Sequence, residues 1–158
     1  MNKYVYFHHF HGDFWPSQDQ LRPYFHAPMG HEWFSHSGND TGSLRLQGLE
    51  GTEDKPFGRG RKDIALQMWG IPDIGVLLIY DKIGPPGFRD TFSSKGDMTR
   101  LSELVDSLHS TPLPVGLFIP FEQAWLAVKE FMETEGQLPK SIEWVRNWDL
   151  PPNTFPDA

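Results

Sequence analysis

The side chains best equipped for chemistry crowd the start of the chain. Six of the seven histidines, His8, His9, His11, His26, His31 and His36, lie within the first 36 residues. A zinc ion needs three or four such ligands converging, with an open position if it is to catalyse. In an extended chain His9, His11 and Asp13 share one face and His8 points to the other. A metal-dependent hydrolase using His9, His11, Asp13 and a distant acid is therefore one reading. The spacing argues against it, because no HExxH or related ligand pattern occurs. The plainer reading is a set of partly exposed strand and loop histidines.

Other catalytic patterns are weaker. Gly58-Arg59-Gly60-Arg61-Lys62 is basic and glycine-rich, but lacks the spacing of a phosphate-binding loop. No G-x-S-x-G elbow occurs. Ser93, Ser94, Asp97 and His109 assemble into a triad only on paper, since such residues are common and geometry decides. Glu143 beside Trp144 reads as a strand-end carboxylate. With no cysteine there is no disulfide, thiolate ligand or thiol nucleophile. This reading assigns no catalytic residue, no metal and no cofactor, and the protein is expected not to be an enzyme.

The elements around these residues follow from patterning. Residues 3–10 are aromatic and read as a strand. Ser17 is placed to cap a short turn over Gln18–Leu21, with Pro23 as its breaker. Residues 31–36 and 43–47 read as a hairpin across Gly38–Gly42. Residues 48–61 hold four glycines and form the best candidate for a long exposed loop. Lys62–Trp69 alternates and Ile74–Lys82 is nearly all apolar, so the two are expected to pair antiparallel across a short link. Phe88–Ser94 adds another strand. Leu101, Leu104, Val105 and Leu108 have helical spacing behind a candidate Asp97 cap. Pro120 opens a second helix with a Phe121, Trp125, Val128, Met132 stripe, and Gly136 closes it. Val115–Ile119 and Ser141–Arg146 read as short strands. The expected fold is α+β, a mainly antiparallel sheet with two principal helices in the C-terminal half, in a single domain over 1–158.

Composition restricts the task. The formal charge is −7, which disfavours nucleic-acid binding because phosphate contact needs clustered Lys and Arg. Residues 97–158 carry ten acids against four bases, whereas residues 1–96 carry eleven against ten. An acidic C-terminal third can steer a basic partner, although a solvated surface explains it as well. No run approaches the roughly 20 apolar residues of a membrane helix, and Met1–Tyr4 does not resemble a signal peptide. The expected location is the cytoplasm, with no membrane partner. Aromatic residues are plentiful, with 12 Phe, 6 Trp and 4 Tyr.

The C-terminal half carries a resemblance. The segments Gly75–Asp81 (GVLLIYD), Phe88–Asp97 (FRDTFSSKGD), Val115–Ala124 (VGLFIPFEQA), Val128–Phe131 (VKEF) and Leu138–Trp144 (LPKSIEW) occur in that order. Over about residues 60–146 they resemble the Imm-one family, immunity proteins of bacterial polymorphic toxin systems. The resemblance implies a protein that binds and neutralises a cognate antibacterial toxin of the contact-dependent, Rhs or type VI secretion kind, by occluding its active site. Its partner would be that toxin, with a basic nuclease-like or deaminase-like enzyme best suited to the acidic charge. Contact candidates come from exposure and chemistry rather than from the family. They are Glu50, Glu53 and Asp54 in the long loop, Trp69, Asp73 and Asp90 near turns, and Phe14 and Trp15 in the early loop.

Overall fold

The computed structural model describes residues 1–26, 33, 40–85 and 88–156. Its frame is an eight-stranded sheet built from β1 (Asn2–Phe7), β2 (Phe10–Gly12), β3 (Thr41–Gln47), β4 (Asp63–Ile71), β5 (Gly75–Ile83), β6 (Arg89–Ser94), β9 (Phe118–Ile119) and β10 (Trp144–Arg146). The strand order is β10-β6-β5-β4-β3-β1-β2, and all pairs are antiparallel. β9 pairs with Val76 and Leu77 of β5, beyond the stretch of β5 that β6 occupies. A separate two-stranded ribbon joins β7 (Leu104–Asp106) to β8 (Pro112–Pro114).

Alternation along the strands sends Val5, Phe7, Leu44, Ile64, Leu66, Met68, Val76, Leu78 and Tyr80 to one face. Among the described residues two helices cover that face, α1 (Gln18–His26) and α2 (Phe121–Glu133). α2 contributes the buried stripe Ala124, Trp125, Ala127, Val128 and Phe131. Pro120 stands at its N-cap, and Gly136 closes it with φ 97° and an amide bonded to the Phe131 carbonyl. A Cβ at Gly136 would lie 2.5 Å from Leu46, so the position also requires a residue without a side chain. On the opposite face a smaller cluster of Leu77, Leu113, Leu117 and Phe118 packs with Trp69, Leu101, Val105 and Phe155.

The α+β class and the antiparallel sheet match expectation; the helices differ. Only one of the two lies in the C-terminal half. The expected helix over 101–108 is instead a 3-10 turn at Met98–Arg100 followed by β7. Leu101 and Val105 pack into the second cluster, while Leu104 and Leu108 are exposed, so the helical spacing marks no continuous apolar stripe. Asp97 does cap the turn, accepting the Thr99 amide at 3.1 Å. Nor does Pro23 break α1, which runs on to His26. The missing proline N–H leaves the Asp19 carbonyl without its helical donor, and both residues lie on the exposed side of the helix, where that loss is cheap.

The strand expected over 31–36 lies outside the described residues apart from Trp33. The neighbours of β3 are β1 and β4, so the expected hairpin is replaced by a central position in the sheet. The strand expected over 3–10 breaks at His8 and His9, with His8 at φ 53°.

Candidate interaction face

The second cluster covers only one end of the sheet's far face. Toward the other end two cross-strand rows run side by side. One is Tyr4, Arg45, Ala65, Asp81 and Thr91, and the next is Tyr6, Ser43, Gln67, Ile79 and Ser93, of which Ile79 packs against the second cluster and Ser93 is buried, so the cluster's cover reaches that end of the row. Beyond them lie Gln47, Asp63, Ile83 and Arg89, again in register. Neither α1 nor α2 lies over these residues, since both pack on the other side, and the 3-10 turn Asn147–Asp149 covers only the Ser93 end, where the Ser93 hydroxyl donates to Asn147 Oδ1 at 2.6 Å.

Two carboxylates are buried on this face, and each is matched by an arginine. Asp63 accepts from Arg61 Nε at 3.0 and 3.1 Å, from Arg61 Nη2 at 3.0 Å and from the Gly48 amide at 3.0 Å. Asp81 accepts from Arg89 Nε at 3.0 Å, from Arg89 Nη2 and from Thr91 Oγ1 at 2.8 Å. The carboxylate of Asp81 holds the Arg89 guanidinium above its ordinary pKa. Such two-point pairs fix the plane of the guanidinium as well as its position. Arg45 differs from both. It donates from Nε to Ser43 Oγ at 3.3 Å and makes no ion pair among the described residues.

A hollow of about 260 Å³ opens over Ala65, lined by Arg45, Gln47, Phe57, Arg61, Asp63 and Ile83. Its floor is low because alanine stands where neighbouring strands carry Arg45 and Asp81. Phe57 is 60% exposed and lies under the Arg61 guanidinium, 5.5 Å from ring centre to Cζ. A second hollow of about 250 Å³ lies at the sheet's end between Leu49, Glu50, Lys62, Lys82, Ile83 and Phe88.

The eight contact candidates read from sequence do not gather in one place. Glu50, Glu53 and Asp54 follow β3, at the end of the sheet that also carries the chain start. Glu50 is bonded to Lys62, which lowers its carboxyl pKa, and Glu53 pairs with the amino terminus. Asp54 is exposed. Asp90 is held by Arg146 at 2.7 and 2.9 Å, which lowers its carboxyl pKa. Trp69 and Asp73 lie at the opposite end of β4, where Trp69 packs into the second cluster and Asp73 sits exposed in the turn at φ 68°. Phe14 is 45% exposed. Trp15 is half-buried, donating to the Tyr4 and Arg45 carbonyls at 3.1 Å and packing on Phe131.

The histidines separate as well. His8 is buried against Phe7 and Tyr24, His9 approaches the Tyr24 hydroxyl at 3.5 Å, and His11 meets the Tyr6 ring edge-on. Among the described residues no three His, Asp or Glu side chains converge as a metal site would need. His31 and His36 lie outside the described residues.

The half of this face that β5 and β6 form is built from the strands that carry the resemblance. Residues 73–146 match the family model Immunity protein Imm1. The Imm1 match runs from the β4–β5 turn to the end of β10, just under half of the chain. It includes α2, the β7–β8 ribbon and the Arg89–Asp81 pair. It leaves out Arg45, Phe57, Arg61 and Ala65, so only Ile83 of the hollow's lining falls inside the Imm1 segment. No curated protein and no solved structure matches the chain.

Arg45 and Ala65 were not among the contacts expected from sequence, and Arg61 was read only as part of a basic glycine-rich segment, although signals were present. Arg45 sits between Leu44 and Leu46, which dictates a side chain on the face away from the helices. Asp63 and Asp81 each sit in an apolar strand, and a buried acid there implies a cation above it.

Proposed function

We propose that this chain is an immunity protein that binds a cognate antibacterial toxin and neutralises it by covering its active site, without chemistry of its own. The observation that carries this reading is the Imm1 match over residues 73–146. A large pKa shift is at Tyr80, where burial pushes the hydroxyl up to about 12. That hydroxyl donates to the Gly136 carbonyl at 2.7 Å, so its environment is structural and far from the neutral range a general acid or base needs.

The contact set is proposed as read from sequence. Within it, Asp54, Asp73 and Phe14 are exposed and form no ion pair among the described residues. Glu50, Glu53 and Asp90 are held by cations of the chain itself. Trp15 and Trp69 are half-buried in packing. The net charge of −7 suits long-range attraction to a basic toxin, nuclease-like or deaminase-like, in the cytoplasm. No helix among the described residues is long and apolar enough to cross a membrane.

Co-expression with the toxin encoded beside this gene tests the reading. The expected result is restored growth of the toxin-expressing host and a complex that survives size-exclusion chromatography. A host that dies at the same rate with and without this chain, with no complex formed, removes the proposal.

A further inference from the structure

We infer that the hollow over Ala65 is the seat for a carboxylate-bearing side chain of the toxin, and that the end of the sheet left open among the described residues is the docking surface around it. The inference rests on the immunity reading and names the surface and the chemistry it accepts. Three observations carry it. The hollow, about 260 Å³, has the size of a socket for one side chain or a short loop tip. Its rim holds two guanidiniums, and the one carboxylate present, Asp63, already accepts four hydrogen bonds from Arg61 and Gly48. Arg45 faces the same space without an ion pair among the described residues, so the local balance is positive in a chain of net charge −7.

The geometry favours an anionic oxygen over a neutral group. A guanidinium presents its donors in a fixed fork that fits a carboxylate at two points. Arg61 is already held in plane by Asp63, and it lies over Phe57, so little side-chain freedom remains to be lost on contact. Phe57 adds exposed ring surface to the charged socket, and aromatic surface beside charge is the composition of an interface centre. The overall negative charge and this local positive patch have separate roles. The first acts at long range on the whole toxin, and the second selects one acidic element at contact.

Ala65→Leu fills the hollow from its floor, and Arg45→Glu reverses the unpaired charge at its rim. Leu126→Glu, on the exposed side of α2, serves as the remote control. Each variant is titrated against the toxin encoded beside this gene, inactivated in its own active site, with thermal unfolding measured in parallel. The expected outcome is a complex weakened about 30-fold or more by either of the first two variants and unchanged by the third. Arg45→Glu guards the test should Ala65→Leu disturb the fold, because Arg45 is half-exposed. Unchanged affinity in Arg45→Glu, with wild-type protection intact, overturns the socket and leaves the immunity reading standing. Failure of the wild-type chain to bind overturns both.

Discussion

The Tyr80 hydroxyl donates to the Gly136 carbonyl oxygen at 2.7 Å, tying the middle of β5 to the turn that closes α2. The two residues are 56 apart in sequence, so this bond reports on the tertiary fold. It lies beside the Phe92, Phe131 and Trp144 rings.

Tyr80→Phe keeps that packing and removes the donor. The Gly136 carbonyl is left without it in a buried site, a loss of about 1–3 kcal/mol. Urea unfolding checks the value. The pH dependence has a defined sign, because burial raises the folded pKa to about 12 from an ordinary 10. The contribution is whole below about pH 10 and falls as pH rises toward about 12, since the unfolded chain releases the proton first. Tyr80→Phe should lack this alkaline component.

The Arg89–Asp81 pair should behave asymmetrically. Asp81 is 3% exposed at its side chain and Arg89 is 64% exposed. Arg89→Met strips a buried carboxylate of its main partner, at a cost of about 1–3 kcal/mol. Adding Asp81→Asn should recover part of that loss, because the uncompensated charge is then gone. A double-mutant cycle by denaturant unfolding measures the coupling, and simple additivity would refute it.

Glu130 on α2 accepts the Lys140 amide at 2.6 Å and the Ser141 amide at 3.0 Å. These backbone donors, Lys140 foremost, hold its carboxyl pKa below the ordinary value. A depressed folded pKa gives stability that is present above the unfolded pKa near 4.5 and is lost as pH falls through the folded value. Glu130→Gln should cost about 1 kcal/mol or less near neutrality, because water screens the site. The gap from wild type should close under acid, as read by melting temperature against pH.

Asp54→Lys and Asp73→Lys test the steering role of the negative surface. Each should slow association with the adjacent-gene toxin roughly 3- to 10-fold at low salt while leaving dissociation nearly unchanged. At high salt the difference should vanish, because the Debye length shrinks to a few ångströms. Stopped-flow fluorescence separates the two rates. A change confined to dissociation would mean direct contact instead.

What the sequence made legible follows from which forces act locally. α2 was readable because its stripe, its proline start and its glycine stop agree with one another, and β4 and β5 because both alternation and link length pointed to one pairing. The segment 101–108 misled because four apolar residues at helical spacing were shared between two environments. That division depends on the β7–β8 ribbon docking on the sheet, which is not a local property. The resemblance drawn from residue 60 onward is met by a match from residue 73. Of the surface, the acids of the long loop were visible as loop residues. Their pairing with Lys62 and the amino terminus was not, since it requires the ends of three separate segments to meet. The hollow over Ala65 was invisible for the same reason, because its walls come from β3, the following loop, β4 and β5.

The outermost strands β2 and β10 span only three residues each. A foreign backbone seeking to extend the ladder meets stepped edges, three residues of β2 beside the open Asn2–Tyr4 of β1 and three of β10 beside the open Arg89–Thr91 of β6, and short stepped edges disfavour stacking on copies of the same chain. For the same reason a visitor gains little by adding a strand, and discrimination between true and false partners falls to the shapes and charges that project from the flat of the sheet.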